Sequence, residues 1–256
     1  LVGKKINKTQ NDACTAKIHK IVNKPFEDGL CYEWDYLLEL DADYQTLMDD
    51  NVDNQSPEII VGTHFRTFDT SSKRIWFIDT PGVNSSQDIE HKCLTEKTIC
   101  ETESDLLIYL MNGENIGTND ERKHLLFVLE HYHGNILFLV NKMDRFRKQE
   151  DSVTETLKAV IDDLTSIGFE NPKVFPISAY VAYLAKLKMF AEFLNEDEQD
   201  EFERMSRKMK KPEYQFEKYY PEEIEVSVAI DADDENQRLL LHSGILHLEE
   251  IINSMR

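Results

Sequence analysis

Three short clusters carry the chemistry legible in this 256-residue chain: Asp79-Thr80-Pro81-Gly82, Asn141-Lys142-Met143-Asp144 and Ser178-Ala179. A fixed carboxylate such as Asp144 can accept two adjacent N–H donors at once, as carboxylates do when they pair with guanidinium groups. Guanine presents such a pair at N1–H and N2–H₂. Adenine has none on that edge and would leave the carboxylate buried and unpaired. A site built on hydrogen bonds can reject the wrong partner by about 10⁴-fold. Asn141 can serve the other edge of the base and tie the loops together. The Lys142 stem can lie over the base plane with its ammonium in water. Backbone N–H near Ala179, beside Ser178, can donate to guanine O6. At the other end of a nucleotide, Asp79 suits Mg²⁺ through water, because Mg²⁺ dehydrates reluctantly. The Gly82 N–H can approach a γ-phosphate with no side chain in the way, and Thr80 and Pro81 are counted with it as nucleotide-contacting.

Each cluster also has a plainer meaning. Asp-x-Pro-Gly is a turn signal, Asn-Lys-x-Asp can be a strand end followed by a helix cap, and Ser-Ala alone says little. Placement separates the two meanings. The clusters follow the apolar runs Arg74–Ile78, Ile136–Val140 and Lys173–Ile177, and 62 residues separate Asp79 from Asn141 and 37 separate Asn141 from Ser178. Each interval holds one or two helix–strand units, so all three are expected on one edge of one sheet.

The elements that must position them alternate. Ala13–Val22 reads as a strand, and Ile59–Phe68 and Arg74–Ile78 as strands on either side of a polar turn at 69–73. Leu106–Met111 has the continuous apolar character of a buried parallel strand. Helices are predicted over Gln87–Glu103, Asn119–Tyr132, Ser152–Ile167, with Gly168 as its C-terminal cap, and Ala179–Leu194. Residues 74–178 thus read β-α-β-α-β-α-β, which predicts an α/β fold: a doubly wound, mostly parallel sheet with helices on both faces and ligands at the strands' carboxyl ends. Beyond it come a charge-rich helix or loop over Asn195–Lys211, an irregular aromatic stretch over Tyr214–Tyr220, and a final amphipathic helix over Arg238–Met255 interrupted near Gly244. Residues 23–58 and 195–237 read as insertions in one domain spanning 1–256.

Composition narrows the function. With 29 basic and 49 acidic residues the net charge is −20, which argues against nucleic acid as a partner and against adsorption to anionic lipid by electrostatics alone. No apolar run approaches the roughly 20 residues that a membrane-spanning helix needs, and nothing near Leu1 resembles a signal peptide. The four cysteines lack metal-ligand spacing and read as reduced cytosolic thiols, with Cys93 and Cys100 as packing residues. His124, His131 and His133 read as surface histidines. Tyr214, Phe216, Tyr219 and Tyr220 read as a satellite core under a loop.

The three clusters resemble the G3, G4 and G5 motifs of translation-factor-like GTPases. Further segments narrow the likeness. Leu1-Val2-Gly3-Lys4 followed by Cys14-Thr15-Ala16 is similar to the stretch after the P-loop helix of dynamin-like GTPases, especially bacterial ones, and so are Pro176-Ile177-Ser178-Ala179-Tyr180 and Ser243-Gly244-Ile245-Leu246-His247-Leu248-Glu249. This resemblance implies a G domain that binds GTP or GDP with Mg²⁺. It implies Thr15 as the switch threonine sharing the metal with Asp79, with Thr15, Asp79 and Gly82 serving hydrolysis. It also implies pairing with a second G domain as a homodimer, a cytoplasmic location and a role in membrane remodelling through other parts of the protein. One departure stands out: no Gly-x-x-x-x-Gly-Lys-Ser/Thr occurs, so the backbone nest, the phosphate lysine and the direct Mg²⁺ hydroxyl are missing. Leu1 therefore reads as the middle of a domain with its P-loop upstream, and residues 1–256 as unable to hydrolyse GTP. The alternatives are a regulatory GTPase of the Era or septin type and a non-hydrolysing scaffold.

Overall fold

The computed structural model describes residues 1–6, 17–28, 31–34, 37–52, 56, 58–67, 74–82, 89–146, 152–231 and 233–255. The chain divides into two compact units: Val2–Glu103, and Ser104–Arg256 together with Leu1.

The first unit holds β1 (Ile18–Asn23), β2 (Tyr32–Trp34), β3 (Leu38–Glu39), α1 (Tyr44–Val52), β4 (Glu58–Thr63), β5 (Trp76–Asp79) and α2 (Ile89–Glu101). Its five strands run in the order β3-β2-β4-β1-β5. β1 pairs parallel with β4 and antiparallel with β5, placing His19 opposite Asp79. The two strands expected to flank a shared turn therefore do not pair with each other. β1 lies between them; buried over most of its length, it has backbone N–H and C=O groups on both edges that need partners, and β4 and β5 supply them. Ile59 and Val61 of β4 are fully buried. Cys93 and Cys100 are exposed on α2 rather than packed inside.

The second unit holds β6 (Leu106–Asn112), α3 (Asn119–His131), β7 (Asn135–Asn141), α4 (Val153–Ile167), β8 (Lys173–Ile177), α5 (Ala179–Met189), α6 (Glu196–Lys208), α7 (Glu235–His242) and α8 (Ile245–Ser254). Here the strands form a parallel sheet, β6-β7-β8, with helices between them in sequence. β7 is its centre, with Leu137, Phe138, Leu139 and Val140 at most 1% exposed, as a continuous apolar run in a parallel sheet should be. β6 is a similarly apolar run but lies at the edge of this sheet, and its Leu110 is 57% exposed instead of buried. The expectation of one sheet is corrected accordingly. β5 is an edge strand of the first unit's sheet, and β7 and β8 belong to the other. Among the described residues no strand joins the two.

Local signals place the helices. Ser152 Oγ accepts the Glu155 N–H at the start of α4, and Gly168 ends it with a left-handed φ of 124°. Val153, Leu157, Val160, Leu164 and Ile167 form its buried stripe. α6 opens with a capping box between Asn195 and Glu198, has Glu196, Asp197 and Glu198 in its first turn and ends in Arg207 and Lys208, all favoured by the helix dipole. Tyr214, Phe216 and Tyr220 are buried. Instead of lying at the surface, His124 is buried with Nδ1 3.2 Å from the Tyr109 hydroxyl, which closes the edge of α3 against β6.

The predicted interruption at Gly244 separates α7 from α8. Its φ is +79°, and a Cβ there would come within 2.8 Å of the Pro176 carbonyl oxygen and 3.1 Å of the Tyr220 ring. Gly244→Ala is expected to destabilise the protein by about 1–3 kcal/mol, read as a lower urea midpoint at unchanged m-value. An unchanged midpoint would show that the segment relaxes freely.

Candidate functional site

The in-register ends of the parallel sheet bring the base-reading candidates together. Asn112, Asn141 and Ile177 are aligned across β6, β7 and β8, so Gly113, Lys142 and Ser178 leave the sheet side by side. The Gly113 N–H donates to the Asn141 carbonyl at 2.8 Å. A Cβ on Gly113 would sit 2.9 Å from that same oxygen, so the close approach requires glycine.

Asn141 Oδ1 accepts the Lys142 N–H at 2.8 Å and the Ala179 N–H at 3.0 Å. One side chain thereby ties the end of β7 to the start of α5. Lys142 adopts a left-handed φ of 66°, an uncommon conformation for a non-glycine residue, and the Asn141 bond to its amide helps hold it. A short 3-10 turn over Met143–Arg145 follows. It places Asp144 inside the protein, 3% exposed, where it accepts the Ser178 hydroxyl at 2.7 Å on Oδ1. Ser178 is fully buried, also accepts the Val181 N–H at 3.4 Å, and donates its own N–H to the Ser243 carbonyl at 2.9 Å. Asp144, Asn141, Ser178 and Ala179 are thus one connected network at the carboxyl ends of β7 and β8. Of the backbone amides near Ala179, where guanine O6 is expected, that of Ala179 itself is engaged by Asn141. The adjacent Tyr180 N–H has no hydrogen bond among the described residues and no intrahelical acceptor at its position in the first turn of α5.

Sequence reasoning missed several supports. Gly113 belongs to none of the motifs read from the sequence. Ser243 acts through its backbone carbonyl, which no residue type announces. Arg145 pairs with Glu114 at 3.3 Å. The Phe146 carbonyl receives Lys208 Nζ at 2.7 Å and the Tyr214 hydroxyl at 2.8 Å.

The phosphate-end candidates lie in the other unit. Asp79 closes β5 and is half-buried, Pro81 is buried, and Gly82 is exposed. The Pro81 carbonyl accepts the Thr95 hydroxyl of α2 at 2.8 Å, which pins the turn containing Thr80. Thr15 lies outside the described residues. Among the described residues no three His, Cys, Asp or Glu side chains gather into a metal site. A lone carboxylate fits Mg²⁺ held largely by water and ligand oxygens. No helix among the described residues is long and apolar enough to cross a membrane.

These groups lie at the carboxyl ends of parallel strands in an α/β unit, the edge at which such folds bind ligands. The family model for the elongation factor Tu GTP binding domain matches residues 35–200, more than half of the chain. The chain belongs to that family and is a GTP-binding P-loop GTPase G domain. No curated protein matches it. Among solved structures it is similar, at 14% identity and a TM-score of 0.43, to one described as an oligomerised bacterial dynamin pair that provides a mechanism for long range sensing and tethering of membranes. The match covers 75% of this chain and 31% of the other, so the chain spans about a third of the length of that relative.

Proposed function

We propose that Asp144 reads guanine through N1–H and N2–H₂, with Asn141, Lys142, Ser178 and the start of α5 completing the base site. The observation that carries this reading is the buried Ser178–Asp144 hydrogen bond. It orients a carboxylate beside an Asn141 side chain already bonded to two backbone amides. Guanine O6 is assigned to the open Tyr180 N–H. Thr15, Asp79 and Gly82, with Thr80 and Pro81, keep the metal and phosphate roles that the motifs give them, and Mg²⁺ would supply charge neutralisation at the phosphates.

The finer reading is a dynamin-like GTPase: one G domain over residues 1–256 with insertions at about 23–58 and 195–237, cytoplasmic, pairing with a second G domain and coupled to membrane remodelling. Its support is the run of motifs in the sequence. Hydrolysis needs a phosphate-binding loop, and no Gly-x-x-x-x-Gly-Lys-Ser/Thr occurs in residues 1–256. Titration of purified residues 1–256 with GDP and ADP tests the base reading, with hydrolysis followed on the same samples. GDP should bind about 100-fold more tightly, since two unpaired buried groups cost about 1–3 kcal/mol each. GTP turnover should stay below about 0.01 s⁻¹, the scale for an intrinsic GTPase with its catalytic parts in place. Equal GDP and ADP affinity overturns the base assignment, and multiple turnover above that rate overturns the predicted inactivity.

A further inference from the structure

We propose that Lys208 and Tyr214 are positioning residues for the base-reading loop, gripping the Phe146 carbonyl so that Asp144 presents its carboxylate in a fixed place. The inference rests on the assignment of Asp144 as the guanine reader.

A carbonyl oxygen has two lone pairs. At Phe146 both are taken by side chains distant in sequence: Lys208 Nζ at 2.7 Å, from the last turn of α6, and the Tyr214 hydroxyl at 2.8 Å, from the short turn after it. The two grips act together, because the Lys208 ammonium lies 4.4 Å over the Tyr214 ring. Tyr214 is 3% exposed and Phe146 6%, so water does not readily replace either bond. From Phe146 the constraint reaches Asp144 within one turn. The Phe146 N–H returns to the Met143 carbonyl at 3.1 Å and the Arg145 N–H to the Lys142 carbonyl at 2.9 Å. On its other side the loop enters through the left-handed Lys142, a conformation that must be held from outside. The Asp144 carboxylate also attracts the Lys208 ammonium, opposing the burial that pushes the lysine's pKa down. Charge therefore links the grip directly to the residue it positions. Within the segment 195–237, read from sequence as an insertion, Lys208 and Tyr214 thereby brace the loop that meets the base.

The test uses residues 1–256 with Tyr214→Phe, Lys208→Met and the conservative Lys208→Arg. Two quantities are read: the ratio of GDP to IDP affinity, since hypoxanthine lacks the N2 amino group, and amide hydrogen exchange at Arg145 and Phe146 without nucleotide. Tyr214→Phe removes only an O–H. It should lower the GDP/IDP ratio about fivefold, the scale of one hydrogen bond, and speed exchange at those two amides while the melting transition stays near wild type. Lys208→Met should do the same, and Lys208→Arg should restore both readouts. An unchanged ratio in Tyr214→Phe and Lys208→Met, or equal weakening of GDP and IDP, overturns the positioning role, and so does unchanged exchange at both amides. Equal GDP and IDP affinity in the wild type overturns the Asp144 assignment itself, and this inference with it.

Discussion

Asp144→Asn is expected to exchange a guanine-preferring site for a xanthine-preferring one. The structure decides which way the new amide points. Ser178 Oγ accepts the Val181 N–H and donates its own hydrogen to Asp144 Oδ1. In the variant that donor selects the amide oxygen, so the NH₂ takes the place of Oδ2. On guanine the NH₂ then meets N–H donors, donor against donor, in a site where each unpaired buried group costs about 1–3 kcal/mol. GDP affinity should fall about 100-fold. Xanthine carries an oxygen at C2 where guanine has its amino group, so the NH₂ can donate to it while the amide oxygen still accepts from N1–H. Xanthosine diphosphate should therefore bind the variant more tightly than GDP does, the reverse of wild type. Titration of both nucleotides into both proteins measures this. A variant that keeps wild-type GDP affinity would remove Asp144 from the base site.

The second large effect is on stability. Lys186 of α5 and Glu249 of α8 form a hydrogen-bonded ion pair with 1% and 3% exposure. Lys186 Nζ also donates to the Leu1 carbonyl at 2.9 Å, a neutral acceptor that cannot replace the carboxylate's charge. Breaking such a pair from one side leaves a buried charge and costs about 3–5 kcal/mol, a large part of the 5–15 kcal/mol typical of a whole domain. Glu249→Ala should lower the urea-unfolding free energy by that amount at pH 7. The sign of its pH dependence follows from burial, which already pushes the Lys186 pKa down. Without Glu249 to oppose that effect, the folded state holds the Lys186 proton less tightly than the unfolded state does. Between the folded state's lowered pKa and the ordinary lysine value the unfolded state binds more protons, so the variant's stability should rise with pH across that window and stay flat below it. Replacing both partners, Lys186→Met with Glu249→Leu, should recover most of the loss, since well-packed apolar pairs often match buried ion pairs. A loss under about 1 kcal/mol for Glu249→Ala would show that the pair is not what locks α5 to α8.

That lock matters to the site because both helices start there. Ser178 caps α5, and its N–H is held by the Ser243 carbonyl just before Gly244 and α8. The segment Ser243–Glu249, read from the sequence as part of an interrupted amphipathic helix and as a family likeness, therefore supports the base loops at one end through a backbone carbonyl and at the other through Glu249.

What the sequence determined by itself was local. Apolar runs marked β6, β7 and β8, Ser152 and Gly168 bounded α4, Gly244 divided the last helix, and the residue types of Asn141, Asp144 and Ser178 carried the proposal of a base site. These signals are complete within a few residues, because capping, strand burial and turn formation depend on neighbours in the chain. The tertiary structure decided what depends on distant partners. It put β1 between β4 and β5, left β6 at an edge with Leu110 exposed, and gave β5 a sheet separate from that of β7 and β8. It engaged the Ala179 amide with Asn141 and left the Tyr180 amide open. It also brought Lys208 and Tyr214 to the Phe146 carbonyl across 62 and 68 residues. A backbone carbonyl carries no sequence signature and a lysine can pair with many acceptors, so only the folded arrangement of α6 against the loop selects that contact.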